Sequence, residues 1–361
     1  MLEYDLKILD EYTERGLLRK AEDKDLVQYN YSEMVNTAPM GELWDEITMF
    51  NRGNIYEKKT GRLIARAMPK FLNIGQYSEE KQKEFLTKPF TVTEKMDGCL
   101  GILYMYNGEI RCNSRGGFDN YVTDKMKELL HKYCMLKYIL RYNTLNVEVI
   151  SKETHIICNY DHEDLHLITA YSNNPEIGEL KPDSLNLMGQ VIRMPVVKSY
   201  NMTWDDLLRF KNTAGYDKEG FVVRFEDNSR VKVKSDEYLR IAALACRLNK
   251  HHIWRLMKND LEQNTQTLKP YMENVPDELS NTARKWYKEI QDGINYHKQQ
   301  AYIEYNKIKD LDKKTIGKTL KDNIYLHAIF AIINGKEDLL DKLFIKMVEP
   351  ELGRNVGDLD G

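Results

Sequence analysis

Residues 91–104, TVTEKMDGCLGILY, are the stretch on which the fold reading turns. Lys95 follows a short strand, and Asp97-Gly98 comes next as a turn whose glycine lets the backbone pass closely behind the lysine. From Cys99 the chain alternates to Asn107-Gly108, a pair suited to the two positive-φ positions of a type I′ turn, and EIRCNS returns as the partner strand. A lysine so placed can be held against phosphate chemistry. K-x-D-G alone describes many turn lysines, so its weight comes from four further motifs downstream. Ser114-Arg115-Gly116-Gly117 closes the hairpin, and Asn146-Val147-Glu148-Val149 sets a carboxylate in an apolar strand. Glu219-Gly220-Phe221-Val222 does so again, and Lys232-Val233-Lys234 puts two lysines on one strand face.

Outward from this stretch, residues 1–48 read as helix and loop, with Leu2, Leu6, Ile8 and Leu9 at helical spacing. From about 49 to 235 short period-two runs bounded by Gly, Asn, Asp and Pro predict antiparallel strands, among them TLNVEVIS, LHLITAYS and a hairpin folding back near Asp227-Asn228-Ser229. A helix is expected around Thr123–Arg141. After Lys234 the composition turns helical, and no proline occurs between Pro276 and Pro350. Within that tail, Lys298–Lys321 holds seven lysines against three acids, either a solvated helix face or a surface for an RNA backbone.

The 361 residues suggest two domains; 42% hydrophobic and 30% charged residues exclude a disordered chain, and a net charge of −3 gives no global basic field. There is no apolar run of membrane-spanning length and no signal-like N-terminus, so no membrane is expected. Cys99, Cys112, Cys134, Cys158 and Cys246 are scattered without a C-x-x-C pair, which fits a reducing cytoplasm better than a disulfide framework. Two motif matches are set aside. His162-Glu163-Asp164-Leu165-His166 spells H-E-x-x-H but runs from a turn into a strand pattern, where extended backbone would hold the imidazoles about 13 Å apart. Gly317-Lys318-Thr319 resembles a P-loop tail, but Asp312 stands where its first glycine belongs.

Taken in order, EKMDG, NSRGG, NVEVI, KEGFVV and VKVK resemble the core motifs of the covalent nucleotidyltransferases, the superfamily of DNA ligases, RNA ligases and capping enzymes. The upstream Arg52-Gly53 and Lys70-Phe71-Leu72-Asn73, the aromatic pair in Tyr29-Asn30-Tyr31 and the downstream KVKSDEY are similar to the bacteriophage RNA ligase 1 family. The match is good over about residues 28–240 and extends to the helical tail only by type and length. The resemblance implies an α+β fold: an ATP-grasp-like nucleotidyltransferase (ligase) domain on antiparallel sheets over residues 1–240, then an all-α C-terminal RNA-specificity domain over 241–361. It makes Lys95 the nucleophile that takes AMP from ATP, with Glu94, Arg115, Lys232, Lys234 and Tyr238 also at the nucleotide, and Tyr29, Arg52 and Lys70 on its β- and γ-phosphates. Glu148 and Glu219 would bind the ribose hydroxyls, and Asp97 and Glu148 would hold Mg²⁺ (or Mn²⁺) through water.

Only a neutral amine attacks phosphorus, so Lys232, Lys234 and Arg115 are expected to lower the Lys95 pKa. Two departures from the family stand out: Cys99 replaces a serine as a small buried side chain, and Arg115 and Gly117 replace a lysine and a serine. The implied partners are RNA 5′-phosphate and 3′-hydroxyl ends, with nicked tRNA as the repair substrate, acted on by a monomer in the cytoplasm, a host cell's if the source is a phage. The alternatives are a DNA ligase, a capping-type guanylyltransferase, or an inactive RNA-binding relic. A DNA ligase or capping enzyme should continue after VKVK into an OB-fold, and here the chain turns helical.

Overall fold

The structure, a computed structural model, describes residues 4–38, 42–152, 154, 157–245, 248–274 and 277–351. Cys246 and the last ten residues of the expected C-terminal domain lie outside them. The chain divides into two compact units, one up to Arg240 and one from Ile241 onward.

In the first unit β1 (Leu18–Asp23), β2 (Leu26–Tyr31), β3 (Arg52–Glu57) and β4 (Leu63–Ala65) form an antiparallel sheet in sequence order. A second sheet contains β5 (Leu72–Asn73) and β6 (Phe90–Lys95), and a third is built from β7 (Cys99–Tyr106), β8 (Glu109–Ser114), β9 (Asn143–Ile150) and β10 (Asp164–Ser172) in the order β10-β9-β7-β8. β11 (Ser199–Tyr200), β12 (Gly220–Phe225) and β13 (Arg230–Lys234) complete the second sheet as β11-β6-β12-β13-β5. All pairings are antiparallel except β5 with β13. The α+β expectation therefore holds, as does the Asn107-Gly108 hairpin, where both residues take positive φ, +50° and +80°.

Strand alternation separates core from site. On the third sheet Leu103, Leu145, Val147 and Val149 pack with helices Tyr121–Leu129, Leu136–Leu140 and Pro182–Ile192. The opposite face presents Ile102 and Tyr104 to Ile55 and Ala65 of the first sheet. Val92, Phe221, Val223, Val231 and Val233 fill the core of the second sheet, with Phe85 and Leu207 from helices Glu79–Thr87 and Trp204–Thr213.

Three elements differ from the sequence reading. The segment 18–31, expected as helix and loop, is a β-hairpin: in β2 Val27, Tyr29 and Tyr31 pack in a core, and Gln28 and Asn30 between them are buried as well. The expected helix at 123–141 is two helices, broken where Met135 takes the left-handed conformation, φ +57°. The body between 49 and 235 also holds the helices at Glu79 and Trp204, which start at the side-chain caps Ser78 and Thr203.

The second unit is helical, including Lys250–Gln263, Asp277–Ile308, Lys313–Thr319 and Leu326–Ile333. Ile308, Ile316, Leu320 and Ile329 form one of its cores, and the Trp254 Nε1–H donates to the Ile345 carbonyl at 2.7 Å. Gly317-Lys318-Thr319 ends a helix, not a phosphate loop. No described helix is long and apolar enough to cross a membrane.

Candidate active site

The register of the second sheet assembles the cations. Gly220 on β12 pairs with Lys95 on one side and Lys234 on the other; two residues along, Val222 pairs with Thr93 and Lys232. With the alternate valines in the core, Thr93, Lys95, Val222, Lys232 and Lys234 share the opposite face and line one pocket. Glu219, just before β12, is buried between the two lysines, accepting from Lys95 Nζ at 2.8 Å on one oxygen and facing Lys234 Nζ at 2.7 Å with the other. Gly220 makes this crossing possible, since a Cβ there would lie 2.2 Å from the Val233 carbonyl oxygen.

The third sheet brings Glu148 to the same pocket on the face of β9 opposite its helices. Its Oε1 accepts the Gly98 N–H at 3.2 Å, and a Cβ on Gly98 would sit 2.5 Å from the Val149 carbonyl oxygen, so only glycine fits behind the lysine. Arg52 at the start of β3, Lys70, and Arg115 after β8 complete the wall, with Glu94 and Asp97. The pocket thus gathers Arg52, Lys70, Glu94, Lys95, Asp97, Arg115, Glu148, Glu219, Lys232 and Lys234. Tyr29 and Tyr238 are not among its lining residues.

Tyr29 is buried, donates to Asp10 Oδ1 at 2.9 Å and packs edge-on against Tyr56. A register shift between Tyr29 and Asn30 follows it, and Tyr31 reaches the pocket instead, bonded by Arg115 and beneath Lys70 at 4.7 Å from its ring centre. Tyr238 sits behind the site, donating to Asp97 Oδ1 at 2.9 Å. The other Asp97 oxygen accepts the N–H groups of Ile157 and Cys158 at 2.7 and 2.8 Å. Both oxygens are engaged, so Asp97 braces the lysine turn. Phe71, 4.8 Å beneath Lys232, and Tyr31 are among the pocket residues that motif reading passed over, although both lie inside motifs it quoted. Cys99 is buried in the core of the third sheet. Glu94 is held by the Tyr200 hydroxyl at 3.0 Å and by Lys218.

The electrostatics correct one expectation. Burial works to lower the Lys95 pKa, but the carboxylates of Glu219 and Glu148 outweigh it and hold the ammonium above its ordinary value. The lysine neighbours do not reverse this because Lys234 shares Glu219 and Arg115 is turned to Tyr31. It is Lys232 that is pushed well down, by burial and then by Lys95, Lys234, Lys70 and Arg52, and it has no ion pair with a described residue. Lys70 is lowered as well, chiefly by burial. Arg52 Nε and Nη1 are buried with no hydrogen-bond partner among the described residues. A cation cluster with unanswered donors is built to receive an anion.

Glu148 is raised to about 7, by burial first, with Lys95 opposing and Glu219 adding to the rise. Its ionised form is what a divalent cation would stabilise, so Glu148 fits a metal role. Among the described residues no group of three or more His, Cys, Asp or Glu side chains could hold a metal alone, so the remaining ligands would have to come from a bound molecule. A carboxyl whose folded pKa exceeds its unfolded value takes up a proton on folding, so stability falls as pH rises from about 4.5 through about 7. Glu148→Gln should therefore raise the melting temperature at pH 8 by about 2–4 °C, the scale of ~1 kcal/mol in a domain of this size, with the gain gone by pH 4. A pH-independent change by differential scanning fluorimetry would assign the effect to packing instead.

His162 and His166 also differ from expectation. Their Nε2 atoms lie 3.1 Å apart, not about 13 Å, because residues 161–163 turn back before β10 begins at Asp164. The helix that H-E-x-x-H chemistry requires is still lacking.

Residues 51–238 match the family model described as RNA ligase. A curated protein of Thermovibrio ammonificans described as "Putative RNA ligase" is 26% identical over 248 residues, 65% of this chain and 62% of that one. The chain therefore spans less than two thirds of the length of that relative. Among solved structures, a variant of the Naegleria gruberi RNA ligase with ATP and Mn has 16% identity and a TM-score of 0.40, covering 66% of this chain and 83% of that one. A structure titled "Putative ATP-dependent DNA ligase from Aquifex aeolicus" has 17% identity and a TM-score of 0.46, covering 92% and 88%.

Proposed function

Because the chain belongs to the RNA ligase family, with more than half of its length inside the family match, we propose that it is an ATP-dependent RNA ligase working through Lys95. Lys95 takes AMP from ATP as pyrophosphate leaves. The AMP then passes to an RNA 5′-phosphate, and a 3′-hydroxyl attacks that phosphate and expels AMP. The observation that carries this reading is the pocket's charge: among the described residues six cations stand against four carboxylates, with two Arg52 donors and Lys232 finding no partner there. Those cations would neutralise charge on the α-phosphate and on departing pyrophosphate. The raised Lys95 must shed its proton first. A divalent cation, Mg²⁺ or Mn²⁺, bound at Glu148 with the triphosphate would cancel the carboxylate field that keeps Lys95 protonated. Labelled ATP should leave AMP on the protein as an adduct that survives denaturation and alkali but is released by acid, as a phosphoramidate is; no adduct in the presence of Mg²⁺ or Mn²⁺ would end the proposal.

Arg52 and Lys70 are assigned to the β- and γ-phosphates. Arg52→Ala and Lys70→Ala should each slow adduct formation about 10- to 100-fold, the loss of ~1.4–2.7 kcal/mol, and slow sealing of pre-adenylated RNA far less. Equal losses in both assays would move these residues to the RNA or to structural support.

We assign the helical unit to recognition of folded RNA such as nicked tRNA, in the cytoplasm and as a monomer. Lys309, Lys314 and Lys318 are exposed in its basic run. Changing all three to glutamate should leave self-adenylylation intact, lower the preference for nicked tRNA over a linear oligonucleotide, and flatten the salt dependence. An unchanged ratio and slope would leave the run as a solvated surface.

A further inference from the structure

Building on the ligase reading, we propose that the RNA strand bearing the 5′-phosphate runs out of the nucleotide pocket along a cationic groove that passes Arg66 and ends at Arg62 and Arg141. Phosphoryl displacement places entering and leaving groups roughly in line. Lys95 enters opposite pyrophosphate, so when Lys95 leaves in turn, the attacking 5′-phosphate must occupy the side pyrophosphate vacated. That is the side assigned to Arg52 and Lys70.

Two further cavities follow from there, each sharing wall residues with the one before it. Lys70 and Phe71 line both the nucleotide pocket and a second cavity, whose far side is Arg66 and Tyr171. Arg66 and Tyr171 in turn line a third cavity that reaches Arg62 and Arg141. Among the described residues this third cavity is lined by three arginines and no carboxylate, and none of the three forms an ion pair with a described residue. The Arg66 guanidinium lies over the Tyr171 ring at 4.4 Å, yet its Nε is buried without a hydrogen-bond partner among the described residues, and so is the Tyr171 hydroxyl on a side chain only 1% exposed. Orphaned donors beside unpaired cations ask for anionic oxygens from outside the chain. The buried carboxylate along the way, Glu179, is already answered by Arg230 and Arg224, and Asp227 by Lys88.

β9 runs beneath the groove and supplies a ruler. Glu148 lines the first pocket and Thr144, on the same face four residues earlier, lines the third cavity. At ~3.3 Å per strand residue the separation is about 13 Å, room for about four nucleotides stacked at ~3.4 Å each. Between them Asn146 clamps the wall: its Nδ2 donates to the Arg66 carbonyl at 2.9 Å and its Oδ1 accepts the Met68 N–H at 2.7 Å. The groove holds phosphates and reads no bases, so it predicts dependence on length and salt but not on sequence.

The test compares wild type with an Arg62→Ala/Arg141→Ala double variant, both sites being exposed, and separately with Arg66→Gln. Each is assayed for self-adenylylation with ATP and for AMP transfer to 5′-phosphorylated oligoribonucleotides of two and eight residues across a KCl series. Adduct formation should be unchanged. Wild type should prefer the eight-mer in KM; the double variant should lose at least about fivefold of that preference and reduce the salt slope by about 1.4, two single-strand phosphate contacts at ~0.7 each. Arg66→Gln should shift both readouts the same way. Wild-type length preference and slope in the variants, or a parallel loss of adduct formation, would overturn the groove while leaving the ligase assignment in place. Absence of any adduct in wild type would remove the ligase assignment, and the groove with it.

Discussion

Lys95→Ala should form no covalent AMP and should fail to join any RNA bearing an ordinary 5′-phosphate, a loss on the order of 10⁴-fold or more, as for other enzymes stripped of their nucleophile. Sealing of pre-adenylated RNA should survive at a reduced rate, because that step begins after the first attack. In the wild type, the ammonium is held above its ordinary pKa by Glu219 and Glu148, so adduct formation should climb with pH across the neutral and mildly alkaline range as the neutral fraction grows. A Lys95→Ala protein that still acquires AMP in normal yield would place the nucleophile elsewhere. A rate flat with pH would show that bound substrate, and not solvent, sets the protonation of Lys95.

Lys232→Ala and Lys234→Ala should both depress adduct formation by roughly 30- to 1000-fold, the loss of about 2–4 kcal/mol of phosphate stabilisation. Their stabilities should move in opposite directions. Lys232 is a cation held well below its ordinary pKa with no ion pair to a described residue, so its removal relieves a cost and should raise the melting temperature. With its folded pKa below the unfolded one, the unfolded chain binds more protons, and wild-type stability should rise with pH up to the ordinary lysine range. Lys232→Ala should remove that slope. Lys234→Ala instead leaves the buried Glu219 with Lys95 alone and should lower the melting temperature. Two inactive variants with the same thermal shift would sink this division of roles, and near-normal rates in both would take the lysine pair out of the chemistry.

The convergence of Lys95, Arg115, Glu148, Glu219, Lys232 and Lys234 was legible because each stands at a strand end or on a strand face, where period-two geometry and motif order settle direction. What depended on contacts between distant segments was not. Asp97 reads as a free carboxylate until Cys158 and Tyr238, 61 and 141 residues later, are seen to occupy it. The direction of the Lys95 shift turns on one carboxylate lying between two lysines, a relation no spacing rule encodes. Tyr29 and Tyr31 are indistinguishable in a motif, and the β-bulge that tells them apart belongs to the pairing with β3. The hairpin at 18–31 escaped although Val27, Tyr29 and Tyr31 alternate with Gln28 and Asn30, because the run is short and the helical spacing of Leu2 to Leu9 set the reading of the region around it.

The long reach of the contacts around Asp97 bears on the order in which a newly made chain acquires activity. Lys95 is translated early, but Glu219 follows 124 residues later and Tyr238 later still. Until those residues leave the ribosome, β6 lacks β12 as its neighbour and the lysine turn lacks its tyrosine brace. At about 5–20 residues per second that interval lasts roughly 7–30 seconds. A nascent chain released before Gly220 would therefore carry the reactive lysine with neither a complete pocket nor the means to charge it, so prematurely terminated products would not consume ATP.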